Sequence, residues 1–229
     1  MPEENHSWEA LSREITACRK CPRLVAWREE VARVKRRAYR DWEYWGKPVP
    51  AFGDPEARLL VVGLAPGAHG SNRTGRMFTG DASGDFLFAS MHRSGFASQP
   101  AALNREDGLT LQDVLITAAC RCAPPDNKPT PQEMENCRPY LLAELDLLPG
   151  IQGIIALGSI GFQTVLQSYR QRGAAIPALK FSHGAFYPLG DGLPWLLASY
   201  HPSQQNTQTG RLTVAMFDAI WRRARELLG

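Results

Sequence analysis

No uninterrupted apolar stretch in this chain approaches 18 residues, so a transmembrane helix is not expected. The start, Met1-Pro2-Glu3-Glu4-Asn5-His6, lacks the basic and apolar regions of a secretory signal, and the expected location is the cytoplasm, with no membrane partner. Repeats, low-complexity tracts and obvious linkers are missing too. The 229 residues suffice for one α/β domain with a buried core, spanning 1–229. Lysine is scarce: of 26 basic residues, 21 are arginine and five are lysine. Arginine favours bidentate contact with phosphate, and Arg33-Val34-Lys35-Arg36-Arg37-Ala38-Tyr39-Arg40 places five cations in eight residues. A net charge of only +3 is compatible with nucleic-acid binding without requiring it.

What is present is a regular alternation of elements. Hydrophobic content of 44% and charged content of 21% are ordinary for a soluble globular protein. Helices are expected over 7–17, with Ser7 as N-cap, and over 22–40, with Pro22 in the first turn. Further helices are expected over 81–94, from a Thr130-Pro131-Gln132-Glu133 start to about 147, from a Ser159 cap to about 169, and over 209–228. Strands are expected over 59–63, 114–119, 153–157 and 195–199. Strands that alternate with helices and read as unbroken apolar runs predict a three-layer α/β/α sandwich around a short four-stranded parallel sheet.

Two of those strands end alike. Leu59-Leu60-Val61-Val62 runs into Gly63-Leu64-Ala65-Pro66-Gly67-Ala68-His69-Gly70-Ser71-Asn72, and Trp195-Leu196-Leu197-Ala198-Ser199 runs into Tyr200-His201-Pro202-Ser203. Loops at the carboxyl ends of neighbouring parallel strands converge on one crevice. His69 and His201 are therefore expected at one pocket.

The five cysteines are Cys18, Cys21, Cys120, Cys122 and Cys137. Cys18-Arg19-Lys20-Cys21 has metal-ligand spacing, and Cys122 and Cys137 bracket a proline-rich loop and the first turns of a helix. In a cytoplasmic chain this 2+2 pattern favours a metal centre over disulfides, and either zinc or a four-iron cluster suits four sulfurs. Cys120 and Cys122 are too close in sequence to share one centre easily, and Cys122 is chosen because it starts the loop.

Taken together, these segments resemble the uracil-DNA glycosylase superfamily. The Gly-x-x-Pro-Gly loop and the His-Pro-Ser loop are similar to its two active-site motifs. The longer run over 63–81, Gly-Leu-Ala-Pro-Gly-Ala-His-Gly-Ser-Asn-Arg-Thr-Gly-Arg-Met-Phe-Thr-Gly-Asp, resembles family 5, the type-B enzymes of thermophilic prokaryotes. Cys-x-x-Cys and the Cys-x-Pro-Pro-x-Asn segment at 122–127 are similar to the iron–sulfur families 4 and 5. The resemblance covers nearly the whole chain. It implies a DNA-repair enzyme that acts as a monomer on DNA bearing uracil or other deaminated bases, with a four-iron four-sulfur cluster held by Cys18, Cys21, Cys122 and Cys137.

Such an enzyme takes its base out of the duplex into a pocket. Cleaving the glycosidic bond then leaves positive charge on the sugar and negative charge on the base. The resemblance gives His201 the donor role at the leaving base and Phe78 the ring that stacks on it, a contact worth about 1–3 kcal/mol. Where relatives carry Asp, Asn or Glu after the first glycine, this chain has Leu64 and Ala65, neither able to activate water. Asp81 is expected to substitute, although it would equally serve as a helix N-cap. His69 and Asn72 are further candidates for positioning water or substrate. Ala118 stands where family 4 carries a base-reading asparagine, which predicts relaxed base choice with hypoxanthine accepted beside uracil. Ser203, Asn206 and Arg211 are expected at phosphate or the minor groove. A rival reading is a non-enzymatic iron–sulfur or zinc protein that binds nucleic acid or carries electrons. Two histidine-bearing loops favour the enzyme.

Overall fold

The structure, a computed structural model, describes residues 7–229; the leader reading made on Met1–His6 lies outside the described residues. The elements run α1 (Trp8–Ala17), α2 (Pro22–Val34), β1 (Phe52–Gly53), β2 (Leu59–Gly63), α3 (Ser71–Thr74), α4 (Ala82–Arg93), β3 (Val114–Ala118), α5 (Pro131–Asp146), β4 (Gly153–Leu157), α6 (Ser159–Gln171), β5 (Phe186–Pro188), β6 (Trp195–Ser199), α7 (Gln204–Gln208) and α8 (Val214–Leu228).

The four expected strands are all present and mutually parallel, in the order β3-β2-β4-β6. They form the middle of a six-stranded mixed sheet. Short antiparallel strands, β1 beside β3 and β5 beside β6, close the two edges. The expectation of four strands is corrected here: strands of two and three residues are too short to show any hydrophobic period.

Alternation along the strands divides the core in two. Leu59, Val61, Val114, Ile116, Ile155 and Leu197 face one layer, where they meet Leu87, Phe88 and Met91 of α4 and Phe217, Ile220 and Trp221 of α8. Leu60, Val62, Leu115, Ile154, Leu196 and Ala198 face the other, against Leu141 and Leu145 of α5 and Phe162, Val165 and Leu166 of α6. Both faces are dry, which is why these strands read as continuous apolar runs. The result is an α/β/α sandwich whose four parallel strands all end on one edge.

Helix starts follow side-chain chemistry. Ser7, Asp81, Thr130 and Thr213 each accept a hydrogen bond from the first turn of the helix that follows, and Thr130 and Glu133 form a complete capping box. Three expectations need correction. Helix α2 stops at Val34 rather than 40, because Lys35 turns into left-handed backbone (φ 60°) and its amide closes on the Val31 carbonyl. Ser159 is the first residue of α6 and caps nothing; Gly158, at φ 89°, occupies the cap position. The expected closing helix over 209–228 begins only after Thr213, as α8; residues 209–213 form a turn through Gly210 (φ 72°) that follows the short α7. Among the described residues, no helix is long and apolar enough to cross a membrane.

Candidate active site

The parallel strands end at Gly63, Ala118, Leu157 and Ser199, and the chain that leaves three of them encloses a cleft of about 1230 Å³. Leu64, Ala65 and His69 come from the loop after β2, Ala118 from the end of β3, and His201 and Ser203 from the loop after β6. Phe78 and Asp81 come from the turn that leads into α4. Seven of the ten residues expected at substrate or DNA thus line the cleft, while Asn206 and Arg211 pack around the His201 turn and Asn72 lies deeper still.

Asn72 is the clear correction. It is fully buried in α3, and its amide donates to the carbonyls of Arg28 (3.2 Å) and Ala68 (3.4 Å). It fastens the loop from behind and does not reach the cleft. The Asn206 amide donates to the His201 carbonyl at 2.8 Å, which fixes the turn. Arg211 lies over the Tyr200 ring at 4.6 Å. Both shape the loop from their present positions and make no part of the cleft wall.

Phe78 has left-handed backbone (φ 51°), a conformation that costs a non-glycine residue about 1–3 kcal/mol and concentrates at functional sites. That turn lays its ring against the cleft, 5.8 Å from the His201 ring and tilted 30° to it. The ring also lies against Gly63, where an added Cβ would come within 3.0 Å of it. Burial disfavours the imidazolium of His201 and pulls its pKa down to about 4. At neutral pH the ring is therefore an uncharged donor and acceptor.

Asp81 combines two tasks. One carboxylate oxygen, Oδ1, accepts the Gly84 amide at 3.0 Å and caps α4. The other, Oδ2, lies on Gly70 so closely that a Cβ there would stand 1.9 Å from it. Burial raises the Asp81 pKa above the usual carboxylate range; the Gly84 and Ser83 amides and the charge of Arg73 oppose that rise, while Asp85 adds to it. A poorly solvated acidic group thus faces the cleft.

Arg73 is a residue the sequence reading misses. It is 3% exposed, lines the cleft, and donates from Nε to the His69 carbonyl (2.7 Å) and from Nη2 to the Gly80 carbonyl (2.7 Å). It thereby ties the loop after β2 to the turn that carries Asp81. Its guanidinium lies between the rings of Tyr39 (3.9 Å) and Trp42 (4.0 Å), which form part of the cleft wall together with Arg36. The only sequence sign was the basic run with its aromatic residues, which looks equally like a solvated helix face. His69 is half-buried, with Nδ1 3.1 Å from the Tyr44 hydroxyl, and burial together with Arg36 and Arg73 lowers its pKa. Asp126 and Asn127 also line the cleft, both in left-handed backbone (φ 53° and 56°). The sequence reading uses Asn127 only as one letter of a motif.

The cysteines gather away from this cleft. Cys18 ends α1, Cys21 precedes α2, Cys122 follows β3 and Cys137 lies in α5. Cys21 and Cys122 pack together around Leu24. Asn136 donates to the Cys21 sulfur (3.3 Å) and Arg28 to the Cys122 sulfur (2.8 Å). Cys120 is fully buried beside Cys137. Among the described residues, no group of three or more histidine, cysteine or acidic side chains has the arrangement that holds a single metal ion. The donor set is nonetheless all sulfur, and the buried cations beside it are incompletely paired. Arg28 is 2% exposed, and its Nε has no partner. Arg121, between Cys120 and Cys122, bonds Glu144 at 2.6 Å but leaves Nε and Nη1 without one. Four thiolates around an iron–sulfur cluster carry the negative charge such cations lack, so the residues present fit that group.

An α/β/α sandwich with an aromatic ring, a neutral histidine and a half-buried carboxylate at its strand ends has a flat wall, a donor and a charged group facing one cleft. Residues 50–225 match the family model described as the uracil DNA glycosylase superfamily, and the chain belongs to that superfamily, in its type-5 branch. It is similar to the type-5 uracil-DNA glycosylase of Thermus thermophilus, with 55% identity over 221 residues that cover 96% of this chain and 98% of that protein. The type-5 enzyme of Mycobacterium tuberculosis is 52% identical over 96% of this chain and 81% of its own length. A type-4 enzyme of Archaeoglobus fulgidus is 29% identical over 86% of this chain and 82% of its own length.

Proposed function

We propose that the protein is a monofunctional uracil-DNA glycosylase that receives a nucleotide turned out of DNA and hydrolyses its N-glycosidic bond, leaving an abasic site. The observation that carries this reading is the meeting of Phe78, His201 and Asp81 on the wall of one cleft. Relatives that share more than half of its residues bear the name of that activity.

Each group has a task in the cleavage. The Phe78 ring stacks on the base. His201, neutral because burial disfavours its cation, donates an N–H to a base carbonyl and stabilises the negative charge that develops as the bond breaks. Asp81 offers Oδ2 on the side away from its capping bond, where it stabilises the positive sugar and orients the attacking water. The pairing is complementary: a donor at the departing base and a carboxylate at the sugar. Leu64, Ala65 and Ala118 add only apolar wall to the cleft. A wall that is apolar at these three positions rejects alternative bases weakly there, which supports excision of hypoxanthine beside uracil.

Cys18, Cys21, Cys122 and Cys137 would hold a four-iron four-sulfur cluster, whose contribution when bound is to join three segments, the α1–α2 connection, the loop after β3 and α5, through their thiolates. Arg28 is the chain's own counter-charge there. The cysteine group lies apart from the cleft residues, so a structural role follows.

Duplexes carrying uracil, hypoxanthine or only normal bases, incubated with purified protein and then treated with alkali, test this reading. Alkali-labile sites are expected at uracil first and hypoxanthine second. Intact strands throughout, or nicks without alkali, would contradict it.

A further inference from the structure

When a nucleotide turns out of a duplex it leaves an opening between the flanking base pairs. An apolar side chain that enters that opening slows the base's return, and proteins that kink or unstack DNA use Leu, Ile, Phe or Met in this way. Such a wedge has to be apolar, stand proud of the surface, border the cleft, and be mounted stiffly enough to transmit force.

One side chain meets all four conditions. Leu103 is 60% exposed and borders the cleft. The other large hydrophobic residues exposed among the described residues, Val34, Ile160, Phe186 and Val214, line no part of it. Its loop is short and tied down. The Leu103 and Asn104 amides both donate to Asp107 Oδ2 (2.7 and 3.3 Å), and the Leu109 amide donates to Asp107 Oδ1 (3.0 Å). Asp107 is itself held by both terminal nitrogens of Arg76 (2.8 and 2.7 Å), in an ion pair with both side chains less than a tenth exposed. Although burial opposes ionisation, the Arg76 bonds keep the Asp107 carboxyl well below the usual range. One residue upstream, the Ala102 carbonyl accepts the Gly80 amide at 2.9 Å, next to Asp81. The exposed leucine is thus rigidly connected to the turn that carries the cleft's carboxylate. Two residues downstream, Arg105 lies on the Trp45 ring at 4.4 Å and pins the same loop from its far side.

We propose that Leu103 enters the base stack at the position the target nucleotide vacates. This rests on the reading of the cleft as the receiver of a flipped base. The segment after His201-Pro202-Ser203 supplies no such apolar side chain. That segment offers only Gln204 and Gln205 at the cleft, both polar, and Asn206, whose amide is committed to the His201 carbonyl.

The test compares Leu103→Ala, Leu103→Phe and wild type on uracil paired in a duplex and on uracil in a short unpaired bubble, where there is little stack to refill. Leu103→Ala should lose about tenfold or more in single-turnover excision from the duplex, the scale set by one buried leucine side chain, and less than about twofold from the bubble. Leu103→Phe should recover most of the duplex rate. Val214→Ala, an exposed apolar residue away from the cleft, should match wild type on both. Fluorescence of 2-aminopurine placed beside the uracil supplies a readout that needs no excision: it should rise when wild type binds the duplex and rise less with Leu103→Ala. An unchanged duplex-to-bubble ratio with an unchanged fluorescence response would overturn the wedge, as would equal losses on both substrates. Wild type that raises the fluorescence but releases no base would contradict the proposed excision and leave the wedge standing.

Discussion

Replacing Asp81 by Asn separates the two tasks of that side chain. The amide oxygen of Asn can still accept the Gly84 N–H that Asp81 Oδ1 takes at 3.0 Å, so the cap of α4 is kept. The other atom loses its charge where it lies on the Gly70 backbone. Losing a carboxylate that stabilises the sugar cation and orients water should cost about a hundredfold in single-turnover excision, or about 2.7 kcal/mol of transition-state stabilisation. Stability should change little, because a neutral group replaces a carboxylate that burial already disfavours. DNA binding should also persist, since Phe78 and the basic residues are untouched. The assay is excision with enzyme in excess, alongside thermal melting and binding to uracil DNA. A rate within a few-fold of wild type would show that Asp81 only caps the helix. A rate loss that tracks a falling melting temperature would assign the effect to stability. Only a large loss in a folded, DNA-binding variant agrees with the catalytic role.

Gly70→Ala should reproduce much of that loss without removing the carboxylate, because the new Cβ would stand 1.9 Å from Asp81 Oδ2 and force it away; normal excision by a folded Gly70→Ala protein would contradict the close approach. In a pH–rate profile, Asp81 has to be ionised, and burial raises its pKa while Arg73 opposes and Asp85 reinforces the rise. The acid limb of the profile should therefore fall at higher pH than for an ordinary carboxylate, and Asp81→Asn should abolish that limb; His201, neutral down to about pH 4, does not supply it. Cys137→Ser should lower iron content and melting temperature while leaving the ratio of uracil to hypoxanthine excision unchanged, whereas Cys120→Ser should keep its iron. Retained iron in Cys122→Ser with iron lost in Cys120→Ser would overturn the ligand choice.

The interior of this fold was legible because its four central strands are buried on both faces. Leu59–Gly63, Gly153–Leu157 and Trp195–Ser199 have no polar alternation to confuse the period, so their bounds read off directly. The edges were not legible, since β1 and β5 owe their existence to pairing with a neighbour rather than to any pattern of their own. In the cleft, residues on loops that leave strands were visible as motifs: Phe78, Asp81 and His201 are all found there. Asn72 misled because it sits in the same motif with its side chain turned inward to Arg28 and Ala68; a motif does not reveal which way a loop residue faces. Arg73 and Leu103 escaped notice for the same reason in reverse. The importance of Arg73 comes from two carbonyls and two rings that only the fold assembles, and that of Leu103 from remaining exposed where most leucines are buried.

The most direct measurement is release of free uracil, followed by chromatography, from uracil-containing DNA under single-turnover conditions. It should compare wild type with an Asp81→Asn, His201→Ala double variant of unchanged melting temperature. Wild type should release one uracil per site and leave an unbroken abasic strand, while the double variant binds the DNA and releases almost none. Equal release by both proteins, or binding by wild type without any release, would contradict the assignment of this cleft as the place where the glycosidic bond is cut.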